Sequence, residues 1–278
     1  MAQMFFKKFE GINALVSYLD NTPTSSTFDG KSLSSQNETD PAWYGYNNYE
    51  EARDLLLRGD AKLAKKVYTT GNLNMKAPMT GVRNRVVTRV AGFAPHVPNY
   101  IAGAPDNMLF VEKKKQVAPV VTIVYNVGVA GGVSGRTIET ASARLLSAIC
   151  SLERKNIRCN LYIASAQKSS DESQRCGLLV KIKDAGQYMD TLKMALPMIS
   201  PAMNRRFGFR FRETMEGLSS NWVGRYGHSL RGKEFNAFLD DNRVKYDIAI
   251  AFMDIMELST VEELEKFFEK KAAEIKKK

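Results

Sequence analysis

Two short stretches of this sequence place chemistry-bearing residues at spacings that matter, and a third gathers them more loosely. The first is the glycine-rich run NVGVAGGVSGRT at residues 126–137, with Asn126, Gly128, Ala130, Ser134, Arg136 and Thr137. It follows an apolar β-branched run, so it falls at a strand end, where parallel α/β sheets bind ligands. A phosphate loop has the form GxxxxGK[ST], its backbone N–H groups cradling phosphates while the lysine reaches their oxygens. Residues 130–137 approximate it, and Asp254, closing IAIAFMD, could stand for the metal-side carboxylate. Ala130 replaces the first glycine and Arg136 the lysine, and the two cations are not interchangeable at such a site. The bland reading is a turn that lets strand and helix pack closely.

The second stretch is NRRFGFRFRE at 204–213. Side chains alternate along a strand, so Phe207, Phe209 and Phe211 would share one face and Arg206, Arg210 and Arg212 the other. The expectation is phenylalanines in the core and an outward arginine row, with Arg205, gripping phosphates by charge. The run also partly matches the RNA-recognition signature through Arg205, Phe207, Gly208 and Phe209, but Arg206, Arg210 and Arg212 break it. The third stretch, NWVGRYGHSLRGK at 221–233, carries Trp222, Arg225, Tyr226, His228, Arg231 and Lys233, and reads equally as a binding loop or a packed connection.

Other chemistries lack their residues. His96 and His228 are the only histidines, and Cys150, Cys159 and Cys176 match no zinc or CxxC spacing, so no metal, no cofactor and no Cys-His nucleophile is expected. The cysteines read as buried thiols in a reducing compartment. Lys7, Lys8 and Glu10 follow a short apolar start unlike a signal peptide, and the uncharged stretch 116–135 reads as strand plus loop, so no membrane is expected. Forty Lys and Arg against thirty Asp and Glu give a net charge of +10, which favours an anionic partner, nucleic acid or acidic protein.

These residues need a scaffold. VAPVVTIVYNV (117–127) suits a doubly buried strand. A helix follows with Ile138, Ala141, Leu145, Ile149 and Leu152 on one face, then the alternating strand IRCNLYIAS (157–165). Strand, crossover helix and strand imply a parallel pair. Further strands are predicted at 176–183 and 246–256, and a closing helix capped by Thr260 and Glu263. Residues 116–278 should therefore form a Rossmann-type three-layer α/β domain with a largely parallel sheet. Residues 1–115 should form a mostly helical, irregular N-terminal part. There, 1–20 read as an amphipathic helix, 21–40 as a mobile Ser/Thr-rich loop and 43–60 as a helix capped by Asn48 and ended by Gly59. Residues 61–90 start helical and become basic through Lys62, Lys65, Lys66, Lys76, Arg83, Arg85 and Arg89. Residues 92–108, with three prolines, read as an extended, packed loop.

Four segments, in order, carry a resemblance: PAWYGYNNYEEARDLLLRGD (41–60), VAGFAPHVPNYIAGAPDNML (90–109), TASARLLSAICSLERKNIRCNLYIAS (140–165) and MALPMISPAMNRRFGFRFRE (194–213). Together they resemble an uncharacterised family of bacteriophage and prophage proteins, over most of the chain from about residue 41. The resemblance implies a phage-encoded protein of the host cytoplasm whose carboxy-terminal half is von Willebrand A-like. It supplies no catalytic residues. The metal-dependent adhesion loop of such domains reads DxSxS. Here Asn126, Gly128 and Ala130 keep one amide oxygen of that donor set, so the metal site is degenerate. The function expected is a non-enzymatic interaction module engaging an anionic partner through Arg205, Arg206, Arg210, Arg212, Arg225 and Arg231. The alternatives are a P-loop-like nucleotide-binding enzyme and a virion-associated structural protein.

Overall fold

The computed structural model describes residues 2–35, 40–70, 82–115 and 118–275. Lys76 of the basic run, residues 36–39 of the Ser/Thr-rich stretch and Val117 of the first predicted strand lie outside them. Chain contacts divide the molecule into two units, Met1–Lys76 with Val120–Lys278, and Ala77–Pro119.

In chain order the larger unit opens with strand β1 (Gln3–Phe9) and helices α1 (Ile12–Asn21), α2 (Pro41–Tyr44), α3 (Tyr49–Arg58) and α4 (Ala61–Thr70). The smaller unit supplies β2 (Val82–Arg89), β3 (Ala94–Pro95), α5 (Val97–Ile101) and β4 (Met108–Lys115). The larger unit resumes with β5 (Val120–Asn126), α6 (Gly135–Arg154), β6 (Arg158–Lys168), β7 (Gln174–Lys183) and α7 (Thr191–Ile199). A π-helical turn, Met203–Gly208, runs into α8 (Phe209–Glu213), and β8 (His228–Ser229), α9 (Gly232–Asp241), β9 (Ile248–Ala251), α10 (Phe252–Glu257) and α11 (Val261–Ile275) complete it.

The larger unit is mixed α/β with a largely parallel central sheet of order β1-β7-β6-β5-β9, and β8 adds to β6. β5 pairs in parallel with β6 and β9, β1 in parallel with β7, and β6 with β7 antiparallel. β5 is buried on both faces. Val121, Ile123 and Tyr125 join the major core with α6 and α11, while Val124 joins a second cluster with Phe235, Phe238 and Leu239 of α9. Ser134 caps α6, accepting from the Thr137 N–H, so the crossover helix starts where the sequence places it.

The N-terminus departs from the expected helix over 1–20. Met4 and Phe6 pack on the α9 cluster while Phe5 and Phe9 pack on the major core, the alternation of a strand, and the helix begins only after Gly11. The Ser/Thr-rich stretch is no mobile loop over its described part. Phe28, Ser25 and Ser34 are buried, and the segment is tied down by Glu213. The described residues of 2–70 thus share the sheet's core, and the second unit carries the antiparallel sheet β2-β4-β3. In it, residues 92–108 are not packed as expected: Phe93, Tyr100 and Ile101 are exposed, because so short a segment cannot enclose a core.

Candidate functional site

A cleft of about 1240 Å³ opens at the carboxyl ends of β5, β6 and β9. It is lined by Val129, Ala130 and Gly131 after β5, Gln167 and Lys168 at the end of β6, the loop 224–234, and Met253, Asp254 and Glu257 in and beside the first turns of α10. β6 and β9 flank β5 on opposite sides, so the connections diverge there and leave a crevice, the usual ligand position in open α/β sheets.

The basic wall is a loop held by alternate anchors. Trp222 is fully buried and donates its indole N–H to Gln174 Oε1 at 2.9 Å. Tyr226 stacks on Phe209 with ring centroids 4.0 Å apart and donates its hydroxyl to Glu213 at 2.6 Å; burial first, and then that carboxylate, push its pKa up. The Leu230 N–H donates to Ala166. Tyr226 holds φ 54° between Gly224 and Gly227, both also left-handed, which turns the chain tightly enough to bring Arg225 out while Tyr226 goes in.

Between the anchors, Arg225, His228, Arg231 and Lys233 are exposed around the cleft, and their side chains make no hydrogen bond or ion pair with any described residue. The other two cations of the cleft are committed. Lys168 pairs with Glu172 at 2.7 Å and Glu234 at 2.8 Å. Arg205 donates to the carbonyls of Trp43, Ala130 and Val133, and lies 4.0 Å over the Trp43 ring; burial lowers its pKa to about 10. On the α10 side, Asp254 accepts the Ala251 N–H through one oxygen at 2.7 Å, and Glu257 is exposed. Gln167 is 2% exposed; its amide nitrogen donates to Asn204, and its Oε1 has no partner.

The strand-end loop is brought to the cleft but not as a phosphate cradle. A phosphate loop points N–H groups inward; here the carbonyls of Ala130 and Val133 accept from Arg205, and that of Gly131 accepts the Trp43 indole N–H at 2.7 Å. The N-terminus of α6 is closed as well. A Cβ at Gly135 would stand 2.0 Å from the Ala42 carbonyl oxygen, so α2 lies directly over it. Ser134 and Thr137 bond each other as the helix cap, and Arg136 is exposed outside the cleft lining. Asn126 is fully spent. Its amide donates to the carbonyls of Ala166 and Leu230, and its oxygen accepts from the N–H groups of Gly128 and Ala166. It clamps β5, β6 and the basic loop together. Among the described residues no cluster of three metal-ligating side chains occurs.

The arginine row is a correction. Residues 203–213 are a π-helical turn and a helix, not a strand, and Arg205, Arg206 and Arg212 are buried. Arg206 donates to the carbonyls of Ser34, Tyr46 and Asn47; Arg210 to Thr24 and the Thr22 carbonyl; and Arg212 to Ser165 and Asn204. Burial lowers the Arg212 pKa to about 10. The alternation misled because neighbours surround the segment on every side, so it has no outward face. Of the six arginines expected to bind, the cleft gathers Arg205, Arg225 and Arg231, and only the last two are free. Sequence reasoning missed Trp43, Gln167 and Lys168. Lys168, ending an alternating strand at the same sheet edge as Asn126, carried the one usable signal.

A family model described as "Domain of unknown function (DUF7192)" matches residues 3–274. No curated protein and no solved structure matches the chain.

Proposed function

The chain belongs to the DUF7192 family, and we propose that it is a non-enzymatic binding module whose cleft holds a nucleic-acid-type ligand by its phosphates. The observation that carries this reading is the set of three exposed cations Arg225, Arg231 and Lys233 on one cleft wall, which make no hydrogen bond or ion pair with any described residue, with the exposed His228 beside them. Cations left unpaired at the carboxyl edge of a largely parallel sheet attract an anion without first losing an internal partner. The net charge of +10 adds long-range attraction. The inverted polarity of the 130–133 carbonyls weighs against nucleotide hydrolysis at a phosphate loop.

The same reading includes a von Willebrand A-like architecture without its metal. Its support is the position of Asn126 at the end of a central strand, followed by a loop and a crossover helix, with the amide consumed internally. A phage-encoded protein working in the bacterial cytoplasm rests on the segment resemblance alone.

Fluorescence anisotropy with unrelated DNA and RNA single strands over a salt series tests the reading. The expected result is binding that weakens steeply with salt. Arg225→Gln and Arg231→Gln together should flatten the slope by roughly 0.7 for each phosphate they no longer neutralise. Absence of binding at low salt sinks it, and capture of acidic peptides instead would transfer the cleft to a protein partner.

A further inference from the structure

The anion-binding reading leaves open which anion the cleft is shaped for, and two further features narrow it. The first is α9, ten residues long, which begins inside the cleft at Gly232. Its N-cap is Arg231, which makes no side-chain cap, and no described residue accepts from the Gly232 and Lys233 N–H groups; the carboxylate of the first turn, Glu234, is paired with Lys168, so the positive end of the helix dipole faces the same space as Arg225, Arg231 and Lys233. Such a cluster favours a compact dianion over the single charge carried by each phosphodiester within a strand.

The second feature is independent and of opposite polarity. Gln167 is a lining residue of the cleft and almost wholly buried, and its Oε1 has no partner among the described residues, so an acceptor is left unsatisfied within the cleft wall. Its amide cannot simply be reversed, because Asn204 Oδ1 already serves as the acceptor for Ser165, Gln167 and Arg212. Asp254 and Glu257 add further acceptors, and the cleft has room for a ligand larger than a bare phosphate.

Resting on the anion-binding reading, we infer that the cleft recognises a nucleoside monophosphate group, its phosphate at the α9 N-terminus and its hydroxyl or amino donors toward Gln167 and the α10 carboxylates. That group is either a free nucleotide or the phosphorylated terminus of a strand.

Binding of the full chain is compared for a single strand of about ten nucleotides carrying a 5′-phosphate, a 3′-phosphate or neither, and for adenosine monophosphate and inorganic phosphate. A terminal phosphate should tighten strand binding roughly tenfold or more, and adenosine monophosphate should exceed inorganic phosphate by a similar factor. Lys233→Gln, an exposed change, should erase the terminal-phosphate preference. Gln167→Met should erase the advantage of the nucleotide over inorganic phosphate while leaving phosphate binding in place. If Gln167→Met does not fold, the comparison of the two free ligands with the native chain carries the same information. Competition by adenosine monophosphate at low concentration identifies the free nucleotide as source; preference for a phosphorylated end without such competition identifies the strand terminus. Equal binding of phosphorylated and unphosphorylated strands, with inorganic phosphate as good as the nucleotide, overturns this inference and leaves the general reading intact. No binding of any strand, of adenosine monophosphate or of inorganic phosphate overturns that reading itself.

Discussion

Two arginine-rich regions of this molecule, 203–213 and 224–233, differ in what surrounds them far more than in composition. In the first, every arginine is turned onto backbone carbonyls or polar side chains; Arg205, Arg206 and Arg210 tie distant segments to the π-helical turn and α8, and Arg212 ties α8 to β6. In the second, the anchors are aromatic or aliphatic, and the arginine and lysine side chains between them bond to no described residue. A guanidinium's five donors serve internal architecture when carbonyls are within reach and serve recognition when none is. Counting arginines therefore points to a mostly buried region; asking which have free donors points to the cleft wall.

The contrast is broken most easily at Glu213, the buried carboxylate that closes the first region. It accepts from Ser32, Leu33, Ser34 and Tyr226. Glu213→Ala orphans the Ser34 N–H and the Tyr226 hydroxyl and leaves the Leu33 N–H only the Tyr226 oxygen as acceptor, and should cost about 5 kcal/mol in urea unfolding. A loss below about 1 kcal/mol would mean the strap 22–35 is not held as described.

Alkaline pH probes the same interior. Burial pushes Cys150, Cys159 and Cys176 up to about 12 from 9.0. Above pH 9 the unfolded chain gives up these protons and the folded chain keeps them, so the contribution is complete below pH 9 and is lost as pH rises toward 12. Stability should fall by about 3 kcal/mol between pH 9 and 10 from the three thiols together. Thiol reagents should label the folded protein only at the rate of unfolding; rapid native labelling at pH 8 would contradict the burial.

A smaller effect is expected at Arg205. A lysine there cannot reach three carbonyls and cover the Trp43 ring together, so Arg205→Lys should cost about 2 kcal/mol, read by chemical denaturation. Smallest of all, Arg225→Gln and Arg231→Gln should each change stability by less than about 0.5 kcal/mol while weakening anion binding. An unfolded Arg225→Gln would erase the distinction between the two regions.

Local signals in the sequence were sufficient wherever one face or one cap decided the outcome. The Asn48 cap, the Gly59 terminus and the reciprocal bonds of Thr260 and Glu263 occur where their spacing puts them, as do β5, α6 and β6. Signals failed where burial is two-sided. Phe5, Phe6 and Phe9 fit a helix stripe as well as a strand between two cores, and 204–213 alternates between two faces that are both inside. β9 is shorter than the predicted 246–256, because the Asp254 carboxylate accepts the Ala251 N–H and starts α10. The site followed the same rule. Asn126 was legible as a strand-end residue, but apart from the Gly128 N–H its hydrogen bonds reach residues 40 or more positions away, and the amide of Gln167 is oriented by Asn204, 37 away.

The pairing of β1 with β7 joins Gln3 to Gln174, and the strap beyond α1 is fastened by Glu213. On a ribosome adding about 5–20 residues each second, β1 waits roughly 10 to 35 s for the strand it will lie against. Through that interval its phenylalanines stay uncovered. The earliest of these elements to be made is thus among the last to be locked, and a chaperone that shields apolar segments would act on this strand before any other.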